Sequence, residues 1–325
     1  MRPTVPLLVL SLLPACHTAA PAPRGRSVAL FDGASLDGWR ALGDARYTVD
    51  DGGILGEVGG GGQSFLVTER SYGDFVLELE LKNELPGNSG VQVRSHVREN
   101  GRLYGYQIEV DPSPRAWSGG LYDEARRGWL DSLEGDDVAR AAFRDGEWNR
   151  YRIECRGAWI RAWVNGVPTA DYLDAVDLEG VIGLQVHSGT NTRMRWRDLR
   201  LTDYGTRTWN ETVLESESAS LPMEGEGGAL RFVLRSSASR PNEIGVQLDV
   251  AGTTRSFGAG VEDGTRELWT YDVIWQGERV AIVPHGGKAS LVTLDRPRSV
   301  EDRVVVTPGA GQRVVSVSAL GLALP

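Results

Sequence analysis

Cysteine and lysine are both scarce: the 325 residues hold two Cys, and only two of the 35 basic residues are Lys. Two cysteines cannot form a disulfide framework, so the fold must rest on burial of apolar groups. Apolar residues make up 41% and charged residues 24%, enough for a core and too apolar for a disordered chain. No Lys/Arg cluster stands apart from its acidic neighbours, and the formal net charge is −9. A nucleic-acid surface needs a basic stripe that displaces phosphate counterions, so that class is excluded. No apolar run reaches the ~20 residues of a membrane-spanning helix. Long helical periodicities are missing as well. Gly and Pro together account for 41 + 15 = 56 residues, punctuating short apolar runs as turns between strands do.

The amino terminus carries Arg2 and then the short apolar run Leu7, Leu8, Val9, Leu10, Ser11, Leu12, Leu13, the pattern of a signal-peptide core. It leads into Leu13, Pro14, Ala15, Cys16, which resembles a bacterial lipobox whose Cys is lipidated and becomes the new amino terminus. The expected organisation is a lipoprotein signal peptide over 1–15, a tether rich in Ala and Pro over 16–27, and a lipid-anchored protein of the bacterial cell envelope, on the periplasmic or outer-membrane face. With Cys16 acylated, Cys155 alternates with Tyr151 and Ile153 and reads as a small core residue.

From 28 to 205 the chain reads as successive strands. Phe75, Leu77, Leu79 and Leu81 share one face, with Val76, Glu78 and Glu80 on the other. Further strands fall at 91–96, 106–111, 151–155, 159–164, 182–187 and 194–201. Asn165-Gly166 is a tight-turn signal, and only 137–144 suggests a helix. An all-β, two-sheet antiparallel sandwich follows. Residues 209–325, richer in Val, Leu, Ser and Gly, predict a second, smaller β-rich accessory domain, with runs at 230–234, 244–250, 268–274, 280–283, 290–294, 304–306 and 314–317. His285 there reads as structural or surface.

Alternation places Gln92 and Arg94 on one polar strand face, Gln107, Glu109 and Asp111 on the next, and Gln185 and His187 on a third. The loop Trp117 to Glu124, with Tyr122, Asp123 and Glu124, mixes aromatics, glycines and carboxylates, and Trp129 and Trp148 offer stacking surfaces. Such a lining suits a sugar, whose hydroxyls need paired donors and acceptors and whose ring faces pack on aromatics. It equally suits an ordinary solvated sheet face.

Several segments together resemble the bacterial 3-keto-disaccharide hydrolase domain family. They are Leu30-Phe31-Asp32-Gly33 with Leu36, Gly38 and Trp39, Asn88-Ser89-Gly90-Val91 with Arg94, and Tyr104-Gly105-Tyr106-Gln107-Ile108-Glu109-Val110-Asp111. Gly120 to Glu124, Trp148-Asn149, Trp163-Val164-Asn165-Gly166 and Gly183-Leu184-Gln185-Val186-His187 follow in the family's order. Many members carry Glu and Gln in the opposite order to Gln107 and Glu109. The resemblance implies a concanavalin A-like jelly roll, and a hydrolase or lyase of 3-keto-glycosides in carbohydrate metabolism. A ketone at C3 acidifies the C2 proton, so a base can remove it, the glycosidic oxygen can leave from C1, and hydration completes net hydrolysis. Glu109, Asp111 and His187 become the candidate catalytic groups. Gln92, Arg94, Gln107, Tyr122, Asp123, Glu124, Trp129 and Gln185 become the candidate substrate-binding ones. A divalent metal ion is a further candidate, as Lewis acid on the ketone. An upstream sugar 3-dehydrogenase is the expected partner. The rival readings are a glycan-binding lectin module, and a conventional jelly-roll glucanase, against which Pro112 stands where a further strand carboxylate would follow.

Overall fold

The structure, a computed structural model, describes residues 25–85, 87–216, 218–223, 227–236, 244–250, 253–259, 268–285, 287–294, 296, 298–299, 302–308 and 312–321. The predicted leader, Cys16 and most of the tether lie outside the described residues. The chain divides into two compact units, one ending at Arg207 and one beginning at Thr208.

The first unit's strands, in chain order, are β1 (Arg26–Ala29), β2 (Trp39–Leu42), β3 (Arg46–Asp50), β4 (Gly53–Glu57), β5 (Ser64–Thr68), β6 (Asp74–Leu85), β7 (Ser89–Val97) and β8 (Leu103–Val110). After them come β9 (Leu121–Glu124), β10 (Gly128–Asp131), β11 (Asn149–Arg156), β12 (Trp159–Val164), β13 (Val167–Leu173), β14 (Val181–Val186) and β15 (Arg193–Gly205). They form two antiparallel sheets, a jelly-roll type of sandwich. One sheet runs β13-β12-β11-β6-β15-β4-β3, with β1 added against β15, and the other runs β10-β9-β8-β7-β14-β5-β2.

The core forms where the two inner faces meet. On β6 the residues Phe75, Leu77, Leu79 and Leu81 are all fully buried, and Leu79 and Leu77 pair with Tyr151 and Ile153 of β11. The facing sheet contributes Val91, Val93, Tyr106, Ile108, Leu121 and Leu184, equally buried. Each such side chain contributes about 1.5–3 kcal/mol on burial. Cys155 of β11 is fully buried, and burial pushes its thiol up to about 11. The β12–β13 hairpin turns at Asn165 and Gly166, with φ of 51° and 84°, the doubly left-handed turn that matches strand twist.

Among the described residues the one helix is α1 (Asp137–Arg140), and no helix is long and apolar enough to cross a membrane. Asp136 caps it by accepting from the Ala139 N–H at 2.9 Å. It is shorter than the predicted 137–144 because the chain tightens at once: the Ala142 N–H donates to the Ala139 carbonyl at 3.1 Å, a three-residue step.

In the second unit, continuing the numbering, β16 (Asn210–Ser216), β18 (Gly227–Ser236), β21 (Leu268–Gln276), β22 (Arg279–Pro284), β23 (Ser290–Thr293) and β25 (Gln312–Gly321) form one sheet in the order β16-β25-β18-β21-β22-β23. The strands β17 (Ala219–Pro222) and β24 (Arg303–Val306) pair with each other, as do β19 (Ile244–Val250) and β20 (Thr253–Ala259). Phe232, Leu234, Val273, Val280, Val304 and Val314 fill its core. His285 places Nε2 3.0 Å from the buried Asp272 carboxylate, which also accepts from Arg231 at 2.8 and 2.9 Å. His285 thus belongs to a structural ion cluster within this unit.

Candidate active site

On β8 and β9 the residues that alternate with the core side chains line a cleft of about 910 Å³. Its lining includes Gln107, Glu109, Asp111, Tyr122, Glu124, Trp129 and His187, all anticipated from the sequence. It also includes Gln63, Asn88, Ser113, Arg102, Arg115 and Arg126, which strand parity did not single out.

Glu109 is 4% exposed and its carboxylate accepts from two amides, Asn88 Nδ2 on one oxygen and Gln107 Nε2 at 2.8 Å on the other. Burial pushes its pKa up, and the two amide hydrogen bonds offset only part of that rise. Gln107 and Glu109, two residues apart on β8, share one face, so a sequence carrying them in the opposite order would keep the same pair in the cleft.

Asp111 has a different occupation. Its carboxylate accepts from the Ser113 N–H at 3.2 Å, the Trp117 N–H at 3.3 Å and Arg115 Nε at 2.7 Å. Burial alone would raise its pKa, but the Ser113 and Arg115 bonds outweigh it and hold the carboxyl below the usual range. Asp111 therefore organises the loop after β8 and makes a poor base. The Arg115 guanidinium lies 4.8 Å from the centre of the Trp117 ring and 5.0 Å from that of Trp129. Trp129 stands edge-on to Trp117 at 4.8 Å and to Tyr122 at 5.1 Å, which gives the cleft an aromatic wall.

His187 follows β14. Its Nδ1 is 3.0 Å from the Ser188 carbonyl oxygen and 3.2 Å from the Ser188 hydroxyl, so Ser188 engages Nδ1 and leaves Nε2 to react. Glu124 is pushed up by burial, partly offset by Arg102 at 3.9 Å and by the charge of His187.

Four expected binding residues sit elsewhere. Arg94 was placed by parity beside Gln92, but β7 bulges between Val93 and His96 and Arg94 takes a φ of 47°, which reverses its side chain into the sandwich. There, fully buried, it donates to the Gly73 and Gly157 carbonyls at 2.9 and 2.6 Å and to Asp74 at 3.2 Å. Asp123 alternates with Tyr122 and Glu124 and so points inward, where it receives Arg126 Nε at 2.8 Å and also Arg127 Nε. Arg127 runs on to Asp174 at 2.6 Å and Arg126 to Asp177 at 2.6 Å, an ion cluster beneath the cleft. Gln92 and Gln185 are fully buried and line no part of the cleft. Gln92 bonds Gln107, whereas neither amide atom of Gln185 has a hydrogen-bond partner. Trp148 packs under Arg197, its ring centre 3.9 Å from the guanidinium carbon, outside the cleft lining.

Among the described residues no three His, Cys, Asp or Glu side chains come together as a metal-binding group, and the Asp111 carboxylate is already engaged by Arg115. The donors present do not fit the divalent ion expected from the sequence.

Residues 26–202, more than half the chain, match the 3-keto-alpha-glucoside-1,2-lyase-like domain family. The chain belongs to that family. It is a carbohydrate-acting protein. Its fold is also similar to three solved structures. A proposed glycosyl hydrolase of Parabacteroides distasonis is 18% identical, over 55% of this chain and 94% of that one, with a TM-score of 0.43. The carbohydrate-binding module CBM66 of Bacillus subtilis is 16% identical, over 51% and 96%, at 0.38. A Bacillus subtilis protein with a galectin-like fold is 14% identical, over 52% and 90%, at 0.39. No curated protein matches the chain.

Proposed function

We propose that this protein cleaves 3-keto-glycosides by elimination across C1–C2, with Glu109 as the base. The observation that carries the reading is the unequal treatment of the cleft's carboxylates. Glu109 is buried with a raised pKa, whereas Asp111 is neutralised by Arg115. A base near its operating pH is the more effective one.

Glu109 takes the C2 proton, and the C–H electron pair forms the enolate with the C3 ketone. The cation Arg102 on the cleft wall balances the charge that develops on the ketone oxygen. The enolate then expels the C1 oxygen, to which protonated His187 gives a proton from Nε2. The products are a 1,2-unsaturated 3-keto sugar and the free aglycone alcohol, and addition of water across the double bond completes net hydrolysis. A two-carboxylate glycosidase pair is poorly served. Asp111, two residues from Glu109, is held by Arg115 and so supplies no second free carboxylate of the kind such a pair needs.

The ketone implies an upstream sugar 3-dehydrogenase, and the run ending at Cys16 supports a lipid-anchored protein of the cell envelope. The test is incubation of the purified protein with a 3-keto-glucoside and with its parent glucoside, with and without chelator. Turnover of the keto sugar alone, with solvent exchange at C2 and slowing by deuterium there, is expected. Equal cleavage of the parent would restore the glucanase, and binding without turnover the lectin.

A further inference from the structure

Glu109 is the visible end of a longer polar chain. Gln107 Nε2 donates to Glu109 at 2.8 Å, Gln92 Nε2 donates to Gln107 Oε1 at 2.5 Å, and Ser95 Oγ donates to Gln92 Oε1 at 2.7 Å. Gln107, Gln92 and Ser95 are 2%, 0% and 1% exposed. Its direction is dictated by its end. An ionised carboxylate only accepts, so Gln107 must turn its NH2 toward Glu109, which leaves its oxygen for Gln92, whose own oxygen then needs the Ser95 hydroxyl. Buried amides pointing the wrong way would face oxygen against oxygen, at a cost comparable to lost hydrogen bonds.

Gly90 lies opposite Glu109 in the β7–β8 register and makes room for this path. A Cβ there would stand 2.4 Å from Gln107 Cδ and 2.7 Å from Nε2, closer than atoms pack. The Ser95 oxygen has two further acceptors, the Val93 and Tyr106 carbonyls, each at 3.2 Å. The hydroxyl is given to the nearer Gln92 oxygen, so the donors of Ser95, Gln92 and Gln107 all point toward Glu109 and favour its ionised form.

We infer that Ser95, Gln92 and Gln107, seated on Gly90, are positioning residues that orient the Glu109 carboxylate and hold a donor toward it, although Ser95 and Gln92 lie outside the cleft. The inference rests on the reading of Glu109 as the base. It is tested with Gln92→Met, an apolar replacement of similar size, and with Gly90→Ala, which displaces Gln107 directly. Two measurements are made: the pH profile of kcat/KM on a 3-keto-glucoside, and the titration of Glu109 by carbon NMR of labelled Glu carboxyls, assigned with Glu109→Gln.

With Gln107 no longer held as a donor, the Glu109 titration and the acid limb should move upward by about one pH unit in both variants. The kcat should fall by about tenfold or more, while KM stays within about threefold. Unshifted titration in whichever variant folds would overturn the relay. If the wild-type protein turns over no keto sugar, the functional reading fails by itself, and the NMR titration still decides the relay.

Discussion

As the proposed base, Glu109 illustrates what a single residue gives up for chemistry. Its pKa in the fold lies above that of the unfolded chain, so its proton favours the folded state below the ordinary Glu range, and that contribution is lost as pH rises through the folded value. Above that value the protein carries a buried, ionised carboxylate. Glu109→Gln should therefore raise stability at pH 7 by about 0.5–2 kcal/mol and change it far less at pH 4, while cleavage drops by about 10²–10⁴. Thermal melts at the two pH values check the first half, and an equal gain at both would contradict it. Which way Glu109 faces was legible in the sequence, because alternation along 106–111 is unbroken. The role of Asp111 was not. It depends on the 112–117 turn bringing Arg115 back within 2.7 Å, a tertiary closure that no periodicity encodes.

A strand is only as readable as its regularity. The central strand β6 follows the predicted alternation from Phe75 to Leu81, with Phe75, Leu77, Leu79 and Leu81 buried and Val76, Glu78 and Glu80 only partly so. On β7 the same reasoning puts Gln92 on the Gln107 face, though buried and outside the cleft, and fails two residues later, because the bulge depends on how β7 registers with β8 and β14. On β9 parity alone would have sent Asp123 inward, had Tyr122 and Glu124 been taken as the outward pair. The bulge makes Arg94 a clamp among Gly73, Asp74 and Gly157. Arg94→Leu leaves the Asp74 carboxylate short of one cation and two buried carbonyls short of a donor. The expected cost is about 3–5 kcal/mol, read by urea unfolding, with KM of the remaining folded enzyme unchanged. A raised KM at full stability would return Arg94 to the binding residues.

For the molecule as a whole, the separation at Arg207 predicts that a fragment of residues 25–207 folds alone and keeps the cleft, which circular dichroism and keto-sugar turnover would check. Loss of both solubility and activity would refute that independence. In the second unit, burial alone would raise the pKa of Asp272, but the Arg231 and His285 bonds outweigh it and hold it low. Its stabilisation is present above the unfolded carboxylate range and lost as pH falls through the lower folded value. Asp272→Asn should flatten that acid dependence in calorimetry, and an unchanged acid slope would argue against the cluster. The beginning of the chain yields to fractionation: Cys16→Ser should move the protein out of the membrane fraction, and unaltered partitioning would remove the lipid anchor. That same substitution leaves Cys155 as the sole sulfhydryl. It is fully buried near the end of β11, opposite Phe75 of β6, protonated at neutral pH and closed to solvent. A maleimide can reach it only when β11 opens, so the labelling rate under native conditions becomes an intrinsic clock for unfolding of the first unit, and its ratio to the rate in denaturant measures how rarely that opening occurs.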